Sequence, residues 1–252
     1  MIHKTALLSC CLLLLVQAHG FGQVRLGVNL SRRSYIVGES ITATLTIESQ
    51  STIPLVLGRD YHNAELYLEL SGGRHGTRGL PDRRRVQRDL VIMPGSALRE
   101  VVEITSLYTF LRPGNYRVNA VLVQEGRSFH SATFAFDVIS GIEMRSFRQM
   151  LPGYSDIEIV YSFRYASREG REEAFMVIQS SDGRSLYGTF RLGPLLRMFQ
   201  PVFRRREDGS IVVVHQSGRN RFSRSIFVVD RGGAEFIEQR HFRPDGTPLS
   251  RE

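Results

Sequence analysis

The chain has 252 residues, 42% of them hydrophobic, and a formal net charge of +8 from 33 basic and 25 acidic side chains. That length suffices for one large or two ordinary domains, and the charge permits attraction to anionic polymers, lipid headgroups or nucleic acid without choosing among them. Both cysteines, Cys10 and Cys11, lie in the first apolar stretch, so a chain cleaved beyond it has no disulfide, thiolate zinc site or cysteine nucleophile.

Lys4 precedes a mostly apolar run over 6–16, which ends in the small-x-small pattern Ala18-His19-Gly20. This is the anatomy of a secretory signal peptide cleaved after Gly20 or Gly22, and it assigns residues 1–22 to the leader. The expected location is the bacterial periplasm or the cell exterior. The run is shorter than the ~20 residues that span a bilayer, so no transmembrane span is expected after cleavage. A lipoprotein signal acylated at Cys10 fits less well, because only five residues separate it from Lys4 and the apolar run continues past it. Lys4 is the only lysine; the thirty-two arginines that follow are what codon bias in a GC-rich genome produces. Asn29-Leu30-Ser31 matches a glycosylation sequon, relevant only in a eukaryotic secretory pathway.

Strand patterns dominate the next segment. ITATLTIE, at 41–48, places Ile41, Ala43, Leu45 and Ile47 on one side and polar residues on the other. AELYLEL, at 64–70, does the same with Ala64, Leu66, Leu68 and Leu70. Period two with one polar face means half-buried antiparallel strands. Further strands are expected at 24–30, 53–58, 89–93, 99–105, 115–123 and 129–138, the last two joined by the glycine-containing loop 124–127. Seven or eight short strands in about 115 residues predict a β-sandwich.

Two motifs sharpen that expectation. LRPGNYRV, at 111–118, resembles the tyrosine corner of immunoglobulin-like sandwiches, with Tyr116 in the tyrosine's place and Val118 where antibody domains carry their second cysteine. SYIVGESITATLTIES, at 34–49, resembles the Tyr-x-x-Gly-Glu lead-in to the second strand of many bacterial Ig-like domains. The resemblance covers residues 24–139, is architectural, and carries over no ligand. It implies a structural corner at Tyr116; because Tyr116, Val118, Ala120 and Leu122 share the inward face of one strand, the ring belongs to the core, with Arg112 and Arg117 facing solvent.

At 139–142 the sandwich pattern stops, which divides the chain into an Ig-like sandwich, 23–139, and a second antiparallel β-meander unit, 140–252. Strands are expected there at 157–165, 173–179, 184–192, 201–206, 210–216, 223–230 and 234–242. Asp182-Gly183, Asp208-Gly209 and Asp245-Gly246 suit turns far better than calcium loops, which need several alternating oxygen ligands. FMVIQSSDGRSLYGTF and VVVHQSGRNRFSRSIF resemble one another, as a meander or propeller fragment would; 110 residues are too few for a closed propeller at ~40–45 residues per blade. The one helix expected is a short connector at 194–199.

No nucleophile elbow, phosphate loop, metalloprotease motif or dinucleotide fingerprint occurs, and no cofactor is expected. Of the histidines after the leader, only His62, near Asp60, stands where an extended segment projects two potential ligands together, and a polar loop is the better reading because no second histidine has suitable local spacing. His215 and His241 read as strand residues. The conspicuous stretch is SGGRHGTRGLPDRRRVQR, 71–88, in which Arg74, Arg78, Arg83, Arg84, Arg85 and Arg88 accompany a single acid, Asp82. No strand or helix pattern runs through it, and structureless loops beyond ~12–15 residues are either functional or disordered. Arginine's planar fork suits carboxylate, sulfate or phosphate, so these six residues are the candidate anionic-ligand or partner loop, against the plainer reading of a solvated loop. A second cluster, Arg204 to Arg206 with Arg219, Arg221 and Arg224 around Phe222, reads as solvated sheet surface rather than a base-stacking platform.

The expectation is an exported, non-catalytic binding or adaptor protein of the bacterial cell envelope. An envelope protein or an anionic glycan is its expected partner, and nucleic acid is not. The alternatives are an envelope-acting hydrolase, which would bring one of the histidines to a carboxylate and a hydroxyl, and a purely structural module of an envelope assembly.

Overall fold

A computed structural model describes residues 24–58, 62–73 and 82–249. The leader, with both cysteines, lies outside the described residues. The chain is all-β. Its first part has eleven strands: β1 (Val24–Leu30), β2 (Ser34–Ile36), β3 (Thr42–Ser49), β4 (Leu55–Leu57), β5 (Ala64–Gly72), β6 (Asp82–Arg85), β7 (Leu90–Ile92), β8 (Ala97–Glu103), β9 (Gly114–Gln124), β10 (Arg127–His130) and β11 (Phe134–Ile139). One sheet runs β1-β3-β8. The facing sheet runs β2-β11-β9-β5-β6, with β10 paired to β9 and the short β4–β7 ladder beside them.

Apart from that ladder, the order is that of an immunoglobulin-type sandwich. A first strand splits between the two sheets, its second half, β2, lying parallel to the last strand, β11. The alternation read in β3 and β5 is realised as burial: Ala43, Leu45 and Ile47 face Leu66 and Leu68 across the core, with Tyr35, Phe110, Tyr116 and Phe136 in the same cluster. Tyr116 makes the corner. Its hydroxyl donates to the Arg112 carbonyl at 3.0 Å, and its ring meets Phe110 edge-on and stacks on Phe136. Gly73, at φ +67, lets the chain close over that ring, where a Cβ would stand 2.6 Å from it.

The second part contains β12 (Ile142–Met150), β13 (Glu158–Arg168), β14 (Arg171–Ser180), β15 (Leu186–Pro194), β16 (Val202–Arg205), β17 (Ile211–Gly218), β18 (Arg221–Asp230) and β19 (Gly233–Phe242). They form two four-stranded antiparallel meanders, β12 to β15 and β16 to β19. Residues of both meet in a shared core of Tyr161, Phe163, Met176, Ile178, Val213 and Phe227. The first meander is buried on its other face too. Phe175 and Val177 of β14 meet Ile36 of the sandwich in a third small core, which is why 174–178 reads as an unbroken apolar run.

Four expectations are corrected. Residues 82–85, read as structureless, form the edge strand β6; an edge strand needs one partner only and is commonly guarded by charge, so it carries no alternation. β12 was absent from the expected strands because it too is an edge, with a register shift between Glu143 and Arg145 that breaks its period. The strand expected at 129–138 divides into β10 and β11. Residues 195–200 are a turn rather than a helix, because the amides of Leu195 and Leu196 go to the Glu172 and Gln216 carbonyls instead of to local ones. The similar segments around Gln179 and Gln216 do not occupy equivalent places: the first spans the third and fourth strands of its meander, the second the second and third.

Candidate functional site

Of the six arginines singled out in 71–88, Arg74 and Arg78 lie outside the described residues. The other four are engaged within the protein. Arg83 lies 4.0 Å over the Tyr67 ring and 3.8 Å from Glu69. Arg84 pairs with Asp82 at 3.2 Å. Arg85 pairs with Glu65 at 3.3 Å and donates to the Gly58 carbonyl at 3.0 Å. Arg88 pairs with Glu100 at 3.2 Å. A guanidinium already facing a carboxylate has less to offer an external anion, since it must first give up that partner.

His62 contacts Glu65 at 3.5 Å, and among the described residues no three histidines, cysteines or carboxylates gather as a metal set. Asp60, its expected companion, lies outside the described residues. His215, Ser223 and His241 are register neighbours across β17, β18 and β19. Ser223 Oγ lies 2.8 Å from His241 Nδ1 and donates to Ser217 Oγ at 2.8 Å. Ser223 is fully buried, and no carboxylate among the described residues pairs with either histidine. Burial pushes the His215 imidazole down to about 4, outweighing the Pro194 carbonyl beside it. Burial also lowers His241, with the charge of Arg221 adding to the effect.

Where the two units join, the Tyr-x-x-Gly-Glu motif takes on a role the sequence did not reveal. Gly38 turns at φ +77, and a Cβ there would meet Leu186 Cδ2 at 2.2 Å. Glu39 then accepts from the Ile36 amide at 2.8 Å, from Arg32 at 3.0 Å and from Arg168 of β13 at 2.9 Å, with a second, shorter Arg168 contact. The Arg168 and Glu39 side chains are only 6% and 11% exposed. Arg168 also lies over the Phe175 ring and pairs with Glu173, which Arg191 holds from the far side. Against the burial that raises it, the Arg191 hydrogen bond and the charges of Arg191, Arg168 and Arg32 hold the Glu173 carboxyl below its usual range. Two hollows of about 490 and 390 Å3 share Arg32, Arg168 and Glu169 as walls. Because Glu39 and Glu173 already occupy Arg32, Arg168 and Arg191, the arrangement is a lock between units.

The end of the second meander differs in kind. Phe222 of β18 stacks on Phe242 of β19 at 5.9 Å and touches Phe199 at 6.0 Å. Phe199 and Met198 stand 56% and 68% exposed on the turn between β15 and β16. Arg219 and Arg221 frame the β17–β18 hairpin and Arg243 follows β19; all three are exposed, and none forms an ion pair with an acid among the described residues. The sequence placed Phe222 among arginines but hid Phe199, which reads there as part of a connector helix.

No family model matches the chain, and no curated protein matches it. Solved structures overlap in part. The CARDB domain of a Pyrococcus furiosus protein, in complex with di-metal ions, is 12% identical over 47% of this chain and 90% of its own, with a TM-score of 0.31. Spo0M, a sporulation control protein from Bacillus subtilis, is 10% identical over 68% and 91%, with a TM-score of 0.32. A β-glucosidase from Listeria innocua in complex with isofagomine is 18% identical over 47% of this chain and only 16% of the enzyme, with a TM-score of 0.32. Overlaps of this extent assign neither a family nor an activity.

Proposed function

We propose that the chain is an exported, non-catalytic binding or adaptor protein of the bacterial cell envelope, and that it makes its contact through the Phe199–Phe222–Phe242 end of the second unit. The observation that carries this reading is the coincidence there of exposed aromatic surface with exposed arginines that form no ion pair among the described residues. Exposed apolar patches rimmed by polar residues mark interaction sites. The arginines of β6, by contrast, are engaged by Glu65, Glu69 and Asp82. The test is co-sedimentation of the purified exported protein with an envelope fraction at low and high salt. Phe199→Ser is expected to weaken sedimentation at least tenfold without moving the unfolding midpoint. Equal sedimentation of the variant and the wild type removes this end as the contact.

A further inference from the structure

We infer that the partner of this end is the surface of an anionic lipid bilayer, an assignment that rests on the contact proposed above and names its chemistry. The turn that carries Met198 and Phe199 is held on both sides. Leu195 is buried, the Leu196 amide donates to the Gln216 carbonyl at 2.9 Å, and Arg197 pairs with Glu172 at 2.7 Å and reaches the Tyr165 hydroxyl at 2.8 Å. On the far side Pro201 is buried and its carbonyl accepts from Arg145 at 3.0 Å. Between these anchors the two large apolar side chains point out of the protein, with the Phe222–Phe242 stack beneath Phe199. A rigid apolar tip of this size fits the boundary between headgroups and acyl chains.

Charge selects the kind of surface. Arg219, Arg221 and Arg243 lie at the same end, because Arg219 and Arg221 frame the Phe222 hairpin and Arg243 adjoins Phe242. Each is exposed and none forms an ion pair among the described residues. A guanidinium matches a phosphate bidentately, and basic residues beside a membrane contribute about fivefold each to binding an anionic leaflet. An apolar tip inside a collar of such arginines therefore complements phosphatidylglycerol better than a neutral bilayer.

The protein contains no tryptophan, so Phe199→Trp supplies a single reporter at the tip and Val91→Trp, on β7 of the first unit, a control at another exposed position. With protein-free vesicles of phosphatidylglycerol and phosphatidylcholine, the indole emission of the Phe199→Trp variant is expected to shift to the blue, and that of the control to stay unchanged. Pure phosphatidylcholine vesicles should give at least tenfold weaker binding, as should Arg219→Ser with Arg221→Ser on the anionic ones. No shift from the tip reporter with anionic vesicles, or an equal shift from both reporters, overturns the inference. If the protein sediments with envelope material through Phe199 yet ignores these vesicles, the contact stands and the lipid assignment falls, leaving an envelope protein or an anionic glycan as its partner; if it does neither, both fall.

Discussion

Tyr116 marks the corner of the sandwich with one hydrogen bond. Its hydroxyl to the Arg112 carbonyl is the feature that LRPGNYRV foreshadowed, and it was legible because a tyrosine two residues beyond Pro-Gly has few other uses at the start of a strand. Tyr116→Phe should lower stability by about 1 kcal/mol, read as the shift in a urea midpoint; an unchanged midpoint contradicts the corner. His215 was legible only as a strand residue, since its depth depends on a second sheet that local sequence does not show. Its folded pKa of about 4 lies below the ordinary 6.5, so between those values the unfolded chain takes up a proton that the folded one refuses. Stability is therefore fully present above pH 6.5 and is lost as pH falls toward 4, by roughly 3 kcal/mol. His215→Phe should flatten that part of the melting profile, and an equally steep profile in the variant would assign the loss to other groups.

Among the elements, those with one solvent face and one core face were legible, because burial then writes itself as alternation: β3 and β5 coincide closely with the expected strands. Edges were not. β6 and β12 have a single neighbour each, so charge or a bulge costs them little and the pattern disappears. The Asp-Gly turns were legible for a local reason. Asp182 and Asp208 each accept the amide two residues on, from Arg184 at 3.0 Å and Ser210 at 2.9 Å, with glycine at positive φ between. For β6 the consequence is specific. Arg83, Arg84 and Arg85 changed together to serine should leave envelope binding within about twofold, because their charges are spent on Glu69, Asp82 and Glu65; a loss of tenfold or more would make 71–88 the contact instead. The same triple change should cost on the order of 1 kcal/mol in stability, as exposed ion pairs do.

Across the whole molecule, the motif resembling an Ig-like lead-in turned out to join the two units through Glu39. Sequence could show Gly38 and Glu39 but not their partners, since Arg168 lies 129 positions away. Glu39→Ala leaves the Arg168 guanidinium buried with Glu173 alone and should cost roughly 3 kcal/mol. A single cooperative unfolding transition in the wild type should then split into two in the variant, seen by following Tyr emission and far-ultraviolet circular dichroism together; coincident transitions in the variant would mean that Glu39 does not couple the units. With the units locked, the aromatic end is presented at a fixed position on one body, where the proposed contact is made. The most direct measurement of that claim is amide hydrogen exchange of the protein with and without envelope material. Slowed exchange should appear at 195–200, 219–222 and 241–243 while 82–88 stays unchanged, and protection at 82–88 with the aromatic end unaffected would contradict the account.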